Sequence, residues 1–129
     1  MSESALVLVV EDEYFLQAYV EQILNDTGFA AESAFSGEEA LTLFNSGFQK
    51  FKAVITDIRL GGRMNGWEVA LRIREKEAAF PVIYITAQAA EEWVSQGVPK
   101  SVLIPKPFAP AQLITALSTV LNIETPPAR

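Results

Sequence analysis

The chain has 129 residues, half of them hydrophobic, which is enough for one compact domain with a real core. Its net charge of −6 at pH 7 argues against a protein that binds a nucleic-acid backbone, because that affinity depends on clustered Lys and Arg. The absence of Cys and His excludes disulfides, zinc–thiolate sites and a histidine-based catalytic triad.

The first half of the chain predicts two strand–helix units. Residues 5–10 are a continuous aliphatic run, typical of a strand buried on both faces. Apolar residues recur at three- and four-residue spacing over residues 14–25, which predicts an amphipathic helix that ends near Gly28. Residues 29–35 predict a weaker strand, suited to a sheet edge. The segment Ser36-Gly37-Glu38-Glu39 has the spacing of a capping box and opens a helix that runs to about residue 45.

The second half continues the alternation. A buried strand over residues 53–57 ends abruptly in Asp57, and the loop that follows is rich in Gly, which favours positive φ angles. Pro105 confines the last strand to a sheet edge or a strand end. The predicted elements are a strand over 53–57, a loop over 58–66, a helix over 67–77, a strand over 82–86, a short helix within 87–96, a strand over 101–105 and a helix from Pro110 to about 121.

Strict alternation of strands and helices predicts an α/β fold, because right-handed crossovers build a doubly wound parallel sheet with helices on both faces. We expect a single domain over residues 1–129, with a core over about 5–122 and loose termini. The apolar run at 5–10 is too short for a signal sequence or a membrane span. We therefore expect a cytoplasmic protein with no membrane or nucleic-acid partner.

Polar side chains follow the buried strands. Glu11 and Asp12 follow the first strand, Asp57 and Thr86 end two others, and Lys106 follows the last. Since carboxyl ends of parallel strands share one edge of a sheet, these side chains are expected to converge. Converging carboxylates need a cation, and an oxygen-only ligand set favours Mg²⁺, with Mn²⁺ as the alternative. Such a site suits phosphoryl transfer to a carboxylate, with Lys and Thr contacting the remaining phosphoryl oxygens.

Five motifs in order give the chain a specific resemblance. Over about residues 5–122 it resembles the response-regulator receiver domains of two-component signalling, whose flavodoxin-like fold implies the strand order 2-1-3-4-5. The motifs are Val9-Val10-Glu11-Asp12-Glu13, Ile55-Thr56-Asp57, Asn65-Gly66-Trp67-Glu68, Ile85-Thr86-Ala87 and Pro105-Lys106-Pro107-Phe108.

The resemblance implies a role for each residue of the acidic site. Asp57 would accept a phosphoryl group from a phosphohistidine on a histidine kinase or a phosphotransfer protein. Asp12 would bind Mg²⁺ directly and Glu11 mostly through water. Asp57 and the backbone carbonyl of Arg59 would complete the protein ligands.

The resemblance also implies how phosphorylation is sensed. Thr86 would turn towards the phosphoryl group, Lys106 would pair with Asp57 and then with the phosphate, and the peptide bond before Pro107 would be cis. Leu103 stands where many receivers have an aromatic residue that follows the Thr, so the usual coupling to the output face is not assumed. Arg59 and Gln88 occupy positions that resemble those tuning hydrolysis.

The leading hypothesis is a stand-alone receiver, a switch without a DNA-binding output domain and without separate enzymatic turnover. It would act on a downstream protein, and a homodimer through the last two helices is a further option. Alternatives are a fragment of a hybrid histidine kinase and a phosphate-independent interaction module. A phosphatase of the haloacid-dehalogenase type is disfavoured, because it needs a second Asp where this chain has Arg59. Trp67, Trp93, Tyr84 and the Phe residues are expected in the core or partly buried.

Overall fold

The described part of the protein is built around one sheet of five parallel strands. The structure is a computed structural model that describes residues 5–47, 50–87 and 90–121. The strands are β1 (Leu6–Val10), β2 (Ala30–Ala34), β3 (Phe51–Asp57), β4 (Val82–Thr86) and β5 (Val102–Pro105). They pair in the order β2-β1-β3-β4-β5, which confirms the predicted fold class and strand order. The weaker strand β2 and the proline-containing strand β5 lie at the two edges, as predicted.

Five helices cover both faces of the sheet. They are α1 (Tyr14–Asp26), α2 (Gly37–Ser46), α3 (Gly66–Lys76), α4 (Ala90–Gln96) and α5 (Pro110–Leu121). Alternate residues of the strands point to opposite faces and form two separate clusters of buried side chains. One cluster joins Leu8, Val54 and Tyr84 to α2 and α3, and the other joins Val9, Ile55 and Ile83 to α1 and α5. Both faces are therefore buried, which explains the continuous apolar runs of the strands.

Local sequence signals set most helix boundaries. Gly28 has a φ of +90° just after α1, and an Asn65–Glu68 capping box opens α3. The capping box expected at Ser36 is only half formed. The Ser36 hydroxyl accepts the Glu39 N–H at 3.0 Å, but the Glu39 carboxylate accepts the N–H of Phe35 instead. Strand β3 begins two residues earlier than predicted, because Phe51 is also buried and pairs with β1.

The aromatic residues divide between the core and the surface. Trp67 and Tyr84 are buried with ring centroids 4.7 Å apart, as expected. The expectation was wrong for Phe15, which is 81% exposed, and for Phe35, which is also exposed. Phe15 lies half a helical rotation from Leu24, which is buried against the sheet, so the packed face of α1 leaves Phe15 outside. Among the described residues, no helix is both long and apolar enough to cross a membrane.

Gly66 generates a prediction about stability, because α3 begins in direct contact with β3. A Cβ at Gly66 would lie 2.2 Å from the backbone oxygen of Asp57 and 2.8 Å from Cα of Ile58. We expect Gly66→Ala to lower the free energy of unfolding by about 2–3 kcal/mol, measured by urea denaturation, since backbone has to move. Gly47→Ala is the control, because its Cβ would meet only the flexible Lys50 side chain. Equal effects of the two substitutions would contradict this account.

Candidate functional site

Six of the predicted site residues meet in one cleft at the carboxyl edge of the sheet. The chain reverses direction across the sheet beside β1, and such a reversal opens a crevice between neighbouring strand ends. The cleft has a volume of about 370 Å³. Its lining consists of Glu11, Asp12, Glu13, Asp57, Arg59, Thr86, Ala87 and Lys106.

Three carboxylates lie close together in this cleft. Glu11, Asp12 and Asp57 each present an oxygen atom, and these oxygens lie within 4.8 Å of one another. Glu11 and Asp57 are 3% and 6% exposed, whereas Asp12 is exposed to solvent. A hard divalent cation such as Mg²⁺ fits this donor set, because the ligands are all oxygens and the open side leaves room for water ligands.

The Asp57 carboxylate is held from two sides. Its Oδ2 accepts a hydrogen bond from Lys106 Nζ at 2.6 Å, and its Oδ1 accepts the Arg59 N–H at 3.2 Å. The backbone of Asp57 belongs to the central strand β3, which pairs with β1 and β4. A side chain on a rigid central strand keeps its position when the loops around it move.

Lys106 does not neutralise both buried acids equally. Its Nζ lies 3.9 Å from Glu11 Oε1, against 2.6 Å from Asp57 Oδ2. Burial, and then the nearby Asp57 carboxylate, raise the pKa of Glu11 to about 8. The Glu13 N–H, which donates to Glu11 Oε2 at 3.0 Å, and the Lys106 charge act in the opposite direction. The three acids thus outnumber the lysine that pairs with them, and Glu11 keeps its proton well above its ordinary pKa.

Thr86 and Lys106 are tied together through the backbone. The Lys106 N–H donates to the Thr86 carbonyl oxygen at 2.8 Å, where β5 leaves the sheet beside β4. Thr86 is buried, and its side chain lines the cleft. The peptide bond between Lys106 and Pro107 is cis. Thr86 and Lys106 therefore line the cleft from adjacent strand ends.

A family model decides what kind of domain carries this site. The response regulator receiver domain model matches residues 7–118. The chain belongs to the response regulator receiver domain family. Flavodoxin-like topology and two-component signalling follow from that membership.

Relatives of this receiver domain include proteins about twice its length and proteins of about the same length. The transcriptional regulatory protein TctD of Salmonella typhimurium is 32% identical over 118 residues, which are 90% of this chain and 51% of TctD. The chain spans about half the length of the curated relatives it matches. A solved response regulator receiver protein from Sinorhizobium medicae is 42% identical, with a TM-score of 0.89, and the match covers 93% of this chain and 96% of that one.

A third relative was solved with a metal ion. The receiver domain of the sensor histidine kinase PA1611 from Pseudomonas aeruginosa, described with a magnesium ion coordinated in the active site cleft, is 25% identical with a TM-score of 0.79. The match covers 92% of this chain and 98% of that one. Receiver domains thus bind Mg²⁺ in the kind of acidic site that Glu11, Asp12 and Asp57 form here.

Leu103 lies apart from the cleft of this receiver domain. It is half-buried, pairs in register with Tyr84 of β4 and packs against the cluster that contains Tyr84. Gln88, the other position expected near the phosphate, lies outside the described residues. The aliphatic side chain at position 103 therefore packs against the core cluster rather than lining the cleft.

Sequence reasoning missed Gln17, a buried polar residue on α1. Its Nε2 donates to the Glu11 carbonyl oxygen at 3.2 Å and to the Ala34 carbonyl oxygen at 3.5 Å, which joins the carboxyl ends of β1 and β2. Gln17 lies three residues before Val20, which is buried, so a polar residue in line with the inward face of the helix was the available signal. Gln17 supports the backbone that carries Glu11.

Glu11 gives a prediction about pH in the metal-free protein. Between its ordinary pKa of 4.5 and its folded value of about 8, the folded chain holds a proton that the unfolded chain has lost. The contribution of Glu11 to stability therefore falls as pH rises through this window. In urea denaturation with EDTA, the stability of Glu11→Gln relative to wild type should rise with pH from 5 to 8, by at most ~1.4 kcal/mol per pH unit. A difference that is flat or that shrinks over this range would refute the assignment.

Proposed function

We propose that this receiver domain accepts a phosphoryl group on Asp57 from a phosphohistidine of a sensor kinase or of a phosphotransfer protein, in a Mg²⁺-dependent reaction. The observation that carries the proposal is the setting of Asp57. Its carboxylate lies beside two further acids, with oxygens within 4.8 Å, and pairs with Lys106 at 2.6 Å. A structural ion pair would not need the two extra carboxylates, whose repulsion is costly without a bound cation.

Six residues of the cleft have a part in the proposed transfer. Glu11, Asp12, Asp57 and the backbone carbonyl of Arg59 would hold the cation, which reduces the repulsion between the carboxylates and the phosphoryl oxygens. An Asp57 oxygen forms the new O–P bond while the N–P bond of the donor breaks. Lys106 then moves from Asp57 to a phosphoryl oxygen, and the Thr86 hydroxyl donates to another.

The surface beside the cleft offers a docking site for the phosphodonor. Tyr14, Phe15 and Tyr19 are exposed on the first two turns of α1, immediately after the acidic turn. The Tyr19 hydroxyl donates to the Phe108 carbonyl oxygen at 3.2 Å, which connects α1 to the segment that follows Lys106. Exposed aromatic side chains are enriched at protein interfaces, so this side of the cleft suits contact with a partner.

We propose that the domain passes its state to a protein partner in the cytoplasm and acts as a switch without separate substrate turnover. The downstream partner is either a second copy of this chain or a different protein. Light scattering after size-exclusion chromatography, with Mg²⁺ and beryllofluoride as a phosphoryl mimic, separates the two. A mimic-dependent increase in mass that Asp57→Asn lacks identifies a homodimer, and an unchanged mass directs the search to a different protein.

The phosphoryl transfer itself is tested with a small donor. Wild-type protein incubated with acetyl phosphate and Mg²⁺ should gain the mass of one phosphoryl group, detected by intact mass spectrometry. Asp57→Asn should gain none, because the amide is not a nucleophile, and EDTA should abolish the modification of wild type.

Glu13→Gln is the matched control for this experiment. Glu13 lines the same cleft but is not one of the three clustered acids, so the variant should be phosphorylated at about the wild-type rate. Wild-type protein that stays unmodified with Mg²⁺, or modification that persists in Asp57→Asn, would overturn the proposal.

A further inference from the structure

The loop between β3 and α3 is attached to three carboxylates at alternate residues. The Arg59 N–H donates to Asp57 Oδ1 at 3.2 Å, the Gly61 N–H to Asp12 Oδ2 at 2.8 Å, and the Arg63 N–H to Glu38 Oε2 at 3.2 Å. The backbone of this loop supplies one of the proposed cation ligands, the carbonyl of Arg59. The position of the loop therefore affects the geometry of the site.

Two of these three hydrogen bonds are accepted by carboxylates that would also bind the cation. Asp12 and Asp57 belong to the acidic cluster, so a bound cation draws on the same carboxylates that accept the loop N–H groups. Glu38 lies on α2, outside that cluster. Its hydrogen bond to Arg63 is the attachment that stays the same when Asp12 and Asp57 engage a cation.

The first turn of α2 fits closely against the loop. Gly62 has a φ of +98°, and a Cβ built on it would lie 3.2 Å from Glu38 Oε1, so the loop backbone passes directly beside the carboxylate. A Cβ on Gly37 would lie 3.0 Å from Cβ of Met64 and 2.8 Å from Cγ2 of Val69. The two glycines allow this approach, and it places Glu38 at hydrogen-bonding distance from Arg63.

We propose that Glu38 is a positioning residue for cation binding. Its carboxylate anchors residues 61–63 from the α2 side and so keeps the Arg59 carbonyl where the cation needs it, while Asp12 turns from the loop to the ion. The inference rests on the proposed function, because it takes the acidic cluster as a Mg²⁺ site. Residues that hold a metal ligand in place from outside the ligand set commonly change metal affinity 10- to 100-fold when they are removed.

Mg²⁺ binding by isothermal titration calorimetry tests this role in three variants. Glu38→Ala removes the hydrogen-bond acceptor and should weaken Mg²⁺ binding about tenfold. Glu38→Gln keeps an oxygen acceptor but loses the charge, and should bind within about threefold of wild type. Glu39→Ala removes a charge from the same helical turn without touching the loop, since Glu39 accepts the Phe35 N–H, and should also stay within about threefold.

Hydrogen exchange in EDTA provides a readout that does not depend on metal. The Arg63 amide should exchange faster in Glu38→Ala than in wild type, and at the wild-type rate in Glu39→Ala, with urea denaturation showing that each variant is folded. Accelerated exchange at Arg63 together with weaker Mg²⁺ binding supports the proposal.

The possible negative results lead to different conclusions. Wild-type protein that binds no Mg²⁺ overturns the proposed function and this inference with it. If wild type binds Mg²⁺ and Glu38→Ala binds it equally well, only the role of Glu38 is overturned. Glu38→Gln binding as weakly as Glu38→Ala also overturns it, because charge rather than the hydrogen bond would then be responsible. Arg63 exchange that is unchanged in Glu38→Ala has the same consequence.

Discussion

Three carboxylates facing one lysine are the interaction on which the rest of this structure depends. Lys106 bonds to Asp57 at 2.6 Å and stays at 3.9 Å from Glu11, so the two buried acids share one cation unequally. Burial, and then the nearby Asp57 carboxylate, raise the pKa of Glu11, and the three acids outnumber the lysine that pairs with them. Repulsion makes such a site unfavourable when all three acids are ionised, and a divalent cation between them removes that repulsion.

Backbone contacts between the elements of the fold hold these acids in place. Asp57 ends the central strand, Gly66 brings α3 against its carbonyl oxygen, and Gln17 joins the ends of β1 and β2 beneath Glu11. The loop after β3 is different, because the N–H groups of Arg59, Gly61 and Arg63 donate to side-chain carboxylates rather than to a neighbouring strand. Two of these carboxylates, Asp12 and Asp57, belong to the acidic cluster, so the position of the loop is coupled to the site's own acids.

The side of the domain formed by α4, β4 and β5 has its own set of contacts. Trp93 of α4 donates from Nε1 to the Ser101 hydroxyl at 2.9 Å, and that hydroxyl donates to the Val98 carbonyl oxygen at 2.6 Å. The Val98 N–H in turn donates to the Tyr84 hydroxyl at 3.1 Å. These bonds connect the short helix α4 to β4 next to Leu103. Trp93 and Tyr84 take part in this chain of hydrogen bonds, whereas the residue at position 103 is aliphatic.

The sequence by itself determined the alternation of strands and helices and the set of residues at the strand ends. Buried parallel strands require uninterrupted apolar runs, and the first polar residue after each run marks the functional edge, so Glu11, Asp57 and Thr86 could be found without coordinates. Only the tertiary structure decided the unequal sharing of Lys106, the contact of Gly66 with Asp57, the Glu38–Arg63 bond and the outward position of Phe15. Each of these depends on distances between different elements, or on how a helix is rotated against the sheet. A pattern along one segment specifies the segment, whereas the relative placement of segments comes from packing both faces of the sheet at once.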